Sequence, residues 1–155
     1  MQSDQRNTPS ALEDHLGFWL RFVSNHVTQR FQALLADKGI SVTEWVALRT
    51  LFEQESGSHL NLIDALGMTK GAASKIVTRL EEKALAQRRA VPNSGREQEI
   101  VLTALGRSLV PELAALADQN DAHFFGDLAP AQRELLMASL QHIVKQHQLK
   151  IFPLS

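Results

Sequence analysis

The chain of 155 residues contains no cysteine. That excludes disulfides, thiolate zinc sites and cysteine-based peroxide sensing. No apolar run is long enough to span a membrane. Residues 1–10 are polar and hold no apolar core of a secretory signal, so the cytoplasm is the expected compartment. Internal repeats and low-complexity linkers are absent. So are the signatures of common enzymes: there is no His-Glu-x-x-His, no Gly-x-Ser-x-Gly and no phosphate loop. The chain therefore does not read as an enzyme, and no cofactor is expected. The histidines, His15, His26, His59, His123, His142 and His147, are spread out. His142 and His147 stand on different faces of a helix, and Asp121 diverges from His123 in the same way. They read as surface or packing residues rather than metal ligands. A net excess of either charge is also lacking, since 16 basic residues face 17 acidic ones.

What is present is a local asymmetry. From Met68 to Arg96 there are seven basic residues, Lys70, Lys75, Arg79, Lys83, Arg88, Arg89 and Arg96, against Glu81 and Glu82, a balance of +5. The rest of the chain carries nine basic residues against fifteen acidic ones, or −6. A basic patch on an acidic body suits a polyanion. An ordinary solvated helix face has the same composition, so the patch gains meaning only from its placement.

Hydrophobic spacing supplies that placement. Ser10, with Glu13 three residues on, is expected to cap a first helix. Leu12, Leu16, Trp19, Leu20, Val23, Val27, Phe31, Leu34 and Leu35 keep helical spacing until Gly39 stops the pattern. So long a stripe suits either a core or a partner chain. Thr43 is expected to cap a second helix with Trp45, Leu48, Leu51 and Phe52 inward, ending near Glu55. A short third helix is expected at 61–66, a turn at Gly67, and a fourth helix capped by Thr69, with Ala73, Ile76, Val77 and Leu80 inward. Its outward side is Lys70, Ser74, Lys75, Thr78 and Arg79. Leu85 to Val91 and Glu97 to Leu102 read as two strands around the turn residues Pro92 to Gly95. Thr103 should cap a fifth helix with Leu105, Leu109, Leu113 and Leu116 in its stripe and a kink at Pro111. A last helix follows Pro130, with Leu136, Leu140, Ile143 and Val144 inward. The apolar tail, Ile151 to Leu154, is too short to fold alone and should pack on its own body or a second chain.

The order and spacing of these residues resemble the MarR family of winged-helix regulators over nearly the whole chain. The likeness is most specific in Gly-Met-Thr-Lys-Gly-Ala-Ala-Ser-Lys-Ile-Val-Thr-Arg-Leu-Glu-Glu-Lys, residues 67–83. It is also specific in Arg96 followed by Leu102-Thr103 and Gly106-Arg107. The resemblance implies a mainly α fold with a small β-hairpin wing: a winged helix-turn-helix DNA-binding lobe at 43–103 and dimerisation helices at 10–38 and 104–155. Three departures stand out. Ser94 replaces the acid that usually precedes the wing arginine. Ala84 replaces a glycine after the recognition helix, so that cap should cost something or the helix ends differently. Ile63 stands where a small residue is usual.

A helix laid in a major groove must come close in its first turn. Thr69, Gly71 and Ala72 are small enough to permit that, and Thr69 offers a helix N-terminus to phosphate. Lys70, Ser74, Lys75, Thr78 and Arg79 follow on one face, Lys75 and Arg79 suited to phosphate or base, Ser74 and Thr78 to bases. Arg96, at the hairpin tip, suits a narrow A·T-rich minor groove. Of Arg88 and Arg89, which alternate faces, only one can point at DNA, and the other should pair with an acid. The resemblance implies a homodimeric, sequence-specific regulator of double-stranded DNA, more often a repressor than an activator, on an imperfect palindrome. It also implies control by a small aromatic or hydrophobic ligand, for which Trp19, Phe22, His26 and Trp45 are the candidate lining. Core or interface roles compete for the two tryptophans. The alternative is a winged-helix module that binds protein and not DNA, which should expose aromatics on that face.

Overall fold

The computed structural model describes residues 8–54, 57–58, 62–63, 67–92, 95 and 98–149. A short 3-10 turn at Leu12–Asp14 precedes α1 (Leu16–Ala36), α2 (Val42–Phe52) and a brief strand β1 (Gly57–Ser58). Then come α3 (Lys70–Glu82), β2 (Ala86–Ala90), β3 (Gln98–Leu102), α4 (Ala104–Phe125) and α5 (Pro130–Gln146). The strands form one antiparallel sheet in the order β1-β3-β2, with Ala86 opposite Leu102 and Arg89 opposite Glu99. The short third helix expected at 61–66 is described only at Leu62 and Ile63, both helical. Its remainder lies outside the described residues, as do Ser94, Arg96 and the tail at 151–154.

One core joins α1 to α4 and the hairpin. Leu35 of α1, Leu48 and Leu51 of α2, Leu62, Val77 and Leu80 of α3, Ile100 of β3, and Val110 and Leu113 of α4 are almost fully buried. Two ends of helices close in the same way. At the end of α1, Gly39 takes φ 70°, Ile40 N–H bonds the Leu35 carbonyl and Gly39 N–H that of Ala36. At the end of α3, Leu85 N–H bonds the Leu80 carbonyl at 2.8 Å and Ala84 N–H that of Glu81, with Ala84 itself at φ 60°. Both are left-handed caps that satisfy the last carbonyls and tuck a leucine or isoleucine into the core. The helix before the departure at Ala84 thus ends as it would with glycine.

Several local expectations are corrected. The first helix is interrupted: His15 is extended, and Ala11, not Ser10, gives its N–H to Asp14 (3.0 Å) in the preceding turn. The indole of Trp19 donates to the Glu13 carbonyl at 2.9 Å and folds that turn back. The cap of α2 is Ser41 rather than Thr43. Ser41 accepts from Glu44 N–H and gives its own N–H to the Glu44 carboxylate, both at 3.1 Å, a reciprocal box that Thr43 could not form. The helix stops at Phe52, before Glu55, and Gly57–Ser58 adds a third strand that the sequence did not announce. Leu105 in α4 is 56% exposed instead of inward, while Leu109 and Leu116 pack against the core. Pro111 lies inside this helix, as expected. Leu136, Leu140, Ile143 and Val144 are not inward either, for every described residue of α5 faces solvent.

Thr69 and Thr103 cap their helices as expected. Thr69 accepts from Ala72 N–H at 3.2 Å, and Thr103 from Gly106 N–H at 3.0 Å. Thr103 also donates to the Ala84 carbonyl at 2.7 Å, so the hairpin exit is tied to the end of α3. A Cβ on Gly106 would overlap the Leu85 carbonyl oxygen, which explains the glycine there. The angle between α3 and the hairpin is therefore set by hydrogen bonds and close packing.

Candidate nucleic-acid interface

Helix α3 turns Ala73, Ile76, Val77 and Leu80 into the core and leaves Lys70, Gly71, Lys75, Thr78 and Arg79 in solvent. Thr69 is exposed beside them, and Ala72 and Ser74 are half-buried. A Cβ on Gly71 would meet nothing within 4 Å, so the protein's own packing does not require that glycine. Open space at the first turn is what close approach to another molecule needs.

The charges divide into two groups. Among the described residues, Lys70, Lys75 and Arg79 have no carboxylate within ion-pair distance. The other described cations of the patch are engaged. Lys83 reaches back to Glu44 and to the Gly39 carbonyl, both at 2.6 Å. Arg89 pairs across the strands with Glu99 at 2.9 Å. Arg88 pairs with Glu81 and lies along α3. Its Nη2 donates to the Ser74 carbonyl and hydroxyl, each at 3.0 Å, and to the Thr78 hydroxyl at 3.2 Å. Both strand arginines thus hold an acid, and they do so on opposite faces of the strand. Arg96 lies outside the described residues.

Two carboxylates in this arrangement have partners that the sequence does not indicate, Glu81 with Arg88 and Glu44 with Lys83. Glu81 sits in the last turn of α3, where a negative charge meets the unfavourable end of the helix dipole. That misplacement was the one signal in the sequence, and Arg88 resolves it. Glu44 is buried beneath α3. Burial alone would raise its pKa, but hydrogen bonds from Lys83 and Ser41 and the Lys83 charge outweigh it and hold the carboxyl below its ordinary value. The Ser41-x-x-Glu44 spacing marks Glu44 as the acid of a capping box, but nothing in the sequence marks its burial or its pairing with Lys83.

The proposed ligand-lining residues fall into two places. Phe18, Trp19, Phe22 and His26 form a run of ring contacts along the exposed side of α1, with centroids 5.0–6.3 Å apart. Trp45 is not with them; it meets Phe31 edge-on at 6.3 Å and packs against the core. A groove of about 510 Å³ lies elsewhere, between the end of α1, the end of α3 and the first turns of α4. It is lined by Ile40, Leu85, Leu105 and Leu109, with Lys38, Lys83 and Glu112 among its polar residues, and by none of the four aromatic candidates. Asp121, two residues before His123, is paired with Arg133 at 2.8 Å.

Comparison with known proteins bears on this geometry. The model of the MarR family matches residues 40–98. An HTH-type transcriptional repressor of Mycobacterium tuberculosis is 32% identical over 120 residues, covering 77% of this chain and 86% of the repressor. Among solved structures, BpsR of Bordetella bronchiseptica, whose DNA binding is regulated by 6-hydroxynicotinic acid, superposes with a TM-score of 0.79 at 25% identity. That match covers 88% of this chain and 97% of BpsR. CouR of Rhodococcus jostii, bound to p-coumaroyl-CoA, gives 0.77 at 26% identity, covering 87% and 95%.

Proposed function

The chain belongs to the MarR family, and from that premise we propose that it is a homodimeric repressor that binds a palindromic operator and is released by an aromatic ligand. The observation that carries DNA binding is the face of α3. Lys70, Lys75 and Arg79 stand in solvent around the open first turn at Gly71, on a helix fixed to the core and to the adjoining hairpin. Such a face offers cations for phosphates and short side chains for base edges. A protein-docking winged helix would expose aromatics there. This face has none, and among the described residues the exposed Trp19 and Phe22 lie on α1 instead.

Dimerisation is supported by α5. Its residues are all exposed, and apart from the turn near Asp121 and Arg133 it hardly touches the other described residues. A helix with no core behind it is marginal in water. Among the described residues the exposed large apolar side chains lie at 12–23 and 135–149, with Leu105 alone elsewhere. A second copy would cover both ends of the chain and leave two α3 helices for two half-sites.

Ligand control draws on the aromatic run of Phe18, Trp19, Phe22 and His26, which borders the same dimer surface. An aromatic molecule bound there would act by favouring a dimer geometry that does not span two half-sites. A DNA-binding regulator works where the chromosome is, in the cytoplasm of a bacterium. Among the described residues no helix is long and apolar enough to cross a membrane.

Fluorescence anisotropy with the DNA upstream of the protein's own gene, at two salt concentrations and against unrelated DNA, tests the proposal. Tight, salt-sensitive and selective binding is expected. No binding to either duplex, even at low salt, would turn the assignment toward protein docking.

A further inference from the structure

The hydroxyls of Ser74 and Thr78 are not free rotors. Both accept from Nη2 of Arg88, at 3.0 and 3.2 Å. An arginine nitrogen only donates, so each hydroxyl must turn a lone pair toward it. Thr78 also donates its own proton to the Ser74 carbonyl at 3.0 Å. Its hydroxyl is thereby engaged by the protein, which leaves the methyl group as the part of this exposed side chain available to a ligand. Ser74 still has its proton, with no acceptor for it among the described residues.

The charge of Arg88 is committed as well. Nη1 meets the Glu81 carboxylate, and the Arg88 backbone N–H donates to Glu81 Oε2 at 3.3 Å. The side chain is only 20% exposed. A guanidinium so engaged is a poor phosphate ligand, since moving to a phosphate would break its pair with Glu81 and its hydrogen bonds to Ser74 and Thr78.

We infer that Arg88 is a positioning residue for base recognition: it fixes Ser74 to donate to an acceptor on a base edge and Thr78 to present its methyl group, which favours thymine. The inference rests on the DNA-binding reading of α3. The chemistry derives from the major groove, where guanine O6 and N7, adenine N7 and thymine O4 accept, and where thymine alone carries a methyl.

The test uses the full chain and a duplex that it selects from a randomised pool. Each thymine is replaced in turn by deoxyuridine, which lacks the methyl. One thymine in each half-site is expected to lose about fourfold in affinity on replacement, the value of one buried methyl. Thr78→Ser should abolish that difference and Thr78→Val should keep it. Arg88→Met should shrink it below about twofold while leaving the slope of log Kd against log salt unchanged. Arg88→Lys, which keeps the charge but cannot fork, should behave like Arg88→Met. Melting curves show which variants fold, and if neither Arg88 variant does, the Thr78 pair decides.

Three results would overturn the inference. One is a salt slope that falls by about 0.9 per protomer in Arg88→Met with the thymine preference intact, which would make Arg88 a phosphate contact. Another is a parent protein indifferent to every deoxyuridine. The third is a thymine preference that survives Thr78→Ser. A parent that selects no sequence from the pool would overturn the DNA-binding reading itself, whereas the other results leave it standing.

Discussion

Ala84 holds φ 60°, a conformation that costs an alanine about 1 kcal/mol relative to glycine. Its neighbours make that tolerable: Leu85 enters the core and Thr103 bonds the Ala84 carbonyl. Ala84→Gly should therefore stabilise the protein by about 0.5–1 kcal/mol, read as a higher denaturant midpoint at unchanged m-value. Lower stability in this variant would mean that the strain has been absorbed elsewhere. Glu44 makes a second prediction at this scale. Its folded pKa lies below its ordinary value of 4.5, so its contribution is present above that value and is lost as pH falls through the folded pKa. Thermal melting should show stability falling on acidification below about pH 5. In Lys83→Met the carboxylate stays buried without its cation and keeps only its Ser41 hydrogen bonds, so its pKa rises relative to the parent. That variant should lose about 1–3 kcal/mol at neutral pH, less than for a fully buried pair because Lys83 is 39% exposed. The acid limb due to Glu44 should therefore be shallower in this variant than in the parent. A parallel acid limb in the two proteins would remove Glu44 as its cause.

At the scale of elements, α3 and the hairpin behave as one piece. The left-handed cap at Ala84, the Thr103 hydroxyl and the Arg88 bridge all cross the joint between them. The exposed cations, by contrast, stand on α3 with no carboxylate within ion-pair distance among the described residues, so their removal should leave folding unchanged. Lys75→Ala with Arg79→Ala should weaken operator binding by more than about tenfold and lower the salt slope by about 0.9 for each phosphate no longer neutralised. The melting temperature should stay within about 2 °C, as for a surface change. Unaltered affinity would place the DNA-binding surface on another face of the lobe.

The whole molecule is asymmetric in what it finishes. The lobe around Leu48, Val77, Leu80 and Ile100 is closed, whereas α5 and the start of α1 present apolar side chains to solvent. Leu140→Asp with Ile143→Asp should leave the lobe folded and convert a dimer to a monomer in sedimentation equilibrium. Operator affinity should fall by about 10²–10⁴, because the second half-site is no longer bound intramolecularly. The melting temperature of the parent should rise with protein concentration and that of the variant should not. A parent that sediments as a monomer at micromolar concentration would require another cover for α5.

Sequence alone determined the elements whose evidence is local. Helical spacing from Leu16 to Leu35, the threonine caps at Thr69 and Thr103, the glycine stop at Gly39 and the strands around Pro92 each depend on a few neighbouring residues. The outward face of α3 was legible for the same reason, since one helical period sorts Lys75 from Ile76. Tertiary structure decided whatever depends on residues distant in the chain. Spacing marks a stripe as apolar but does not say what covers it. Leu140 and Leu113 look alike in sequence, yet Leu140 is 38% exposed and Leu113 is fully buried. Likewise, two adjacent arginines carry no sign of which acids they will meet. Glu81 and Glu99 become partners only when β2 is laid against α3 on one side and beside β3 on the other. Charge pairing and burial are set by neighbours through space, and the fold alone supplies those neighbours.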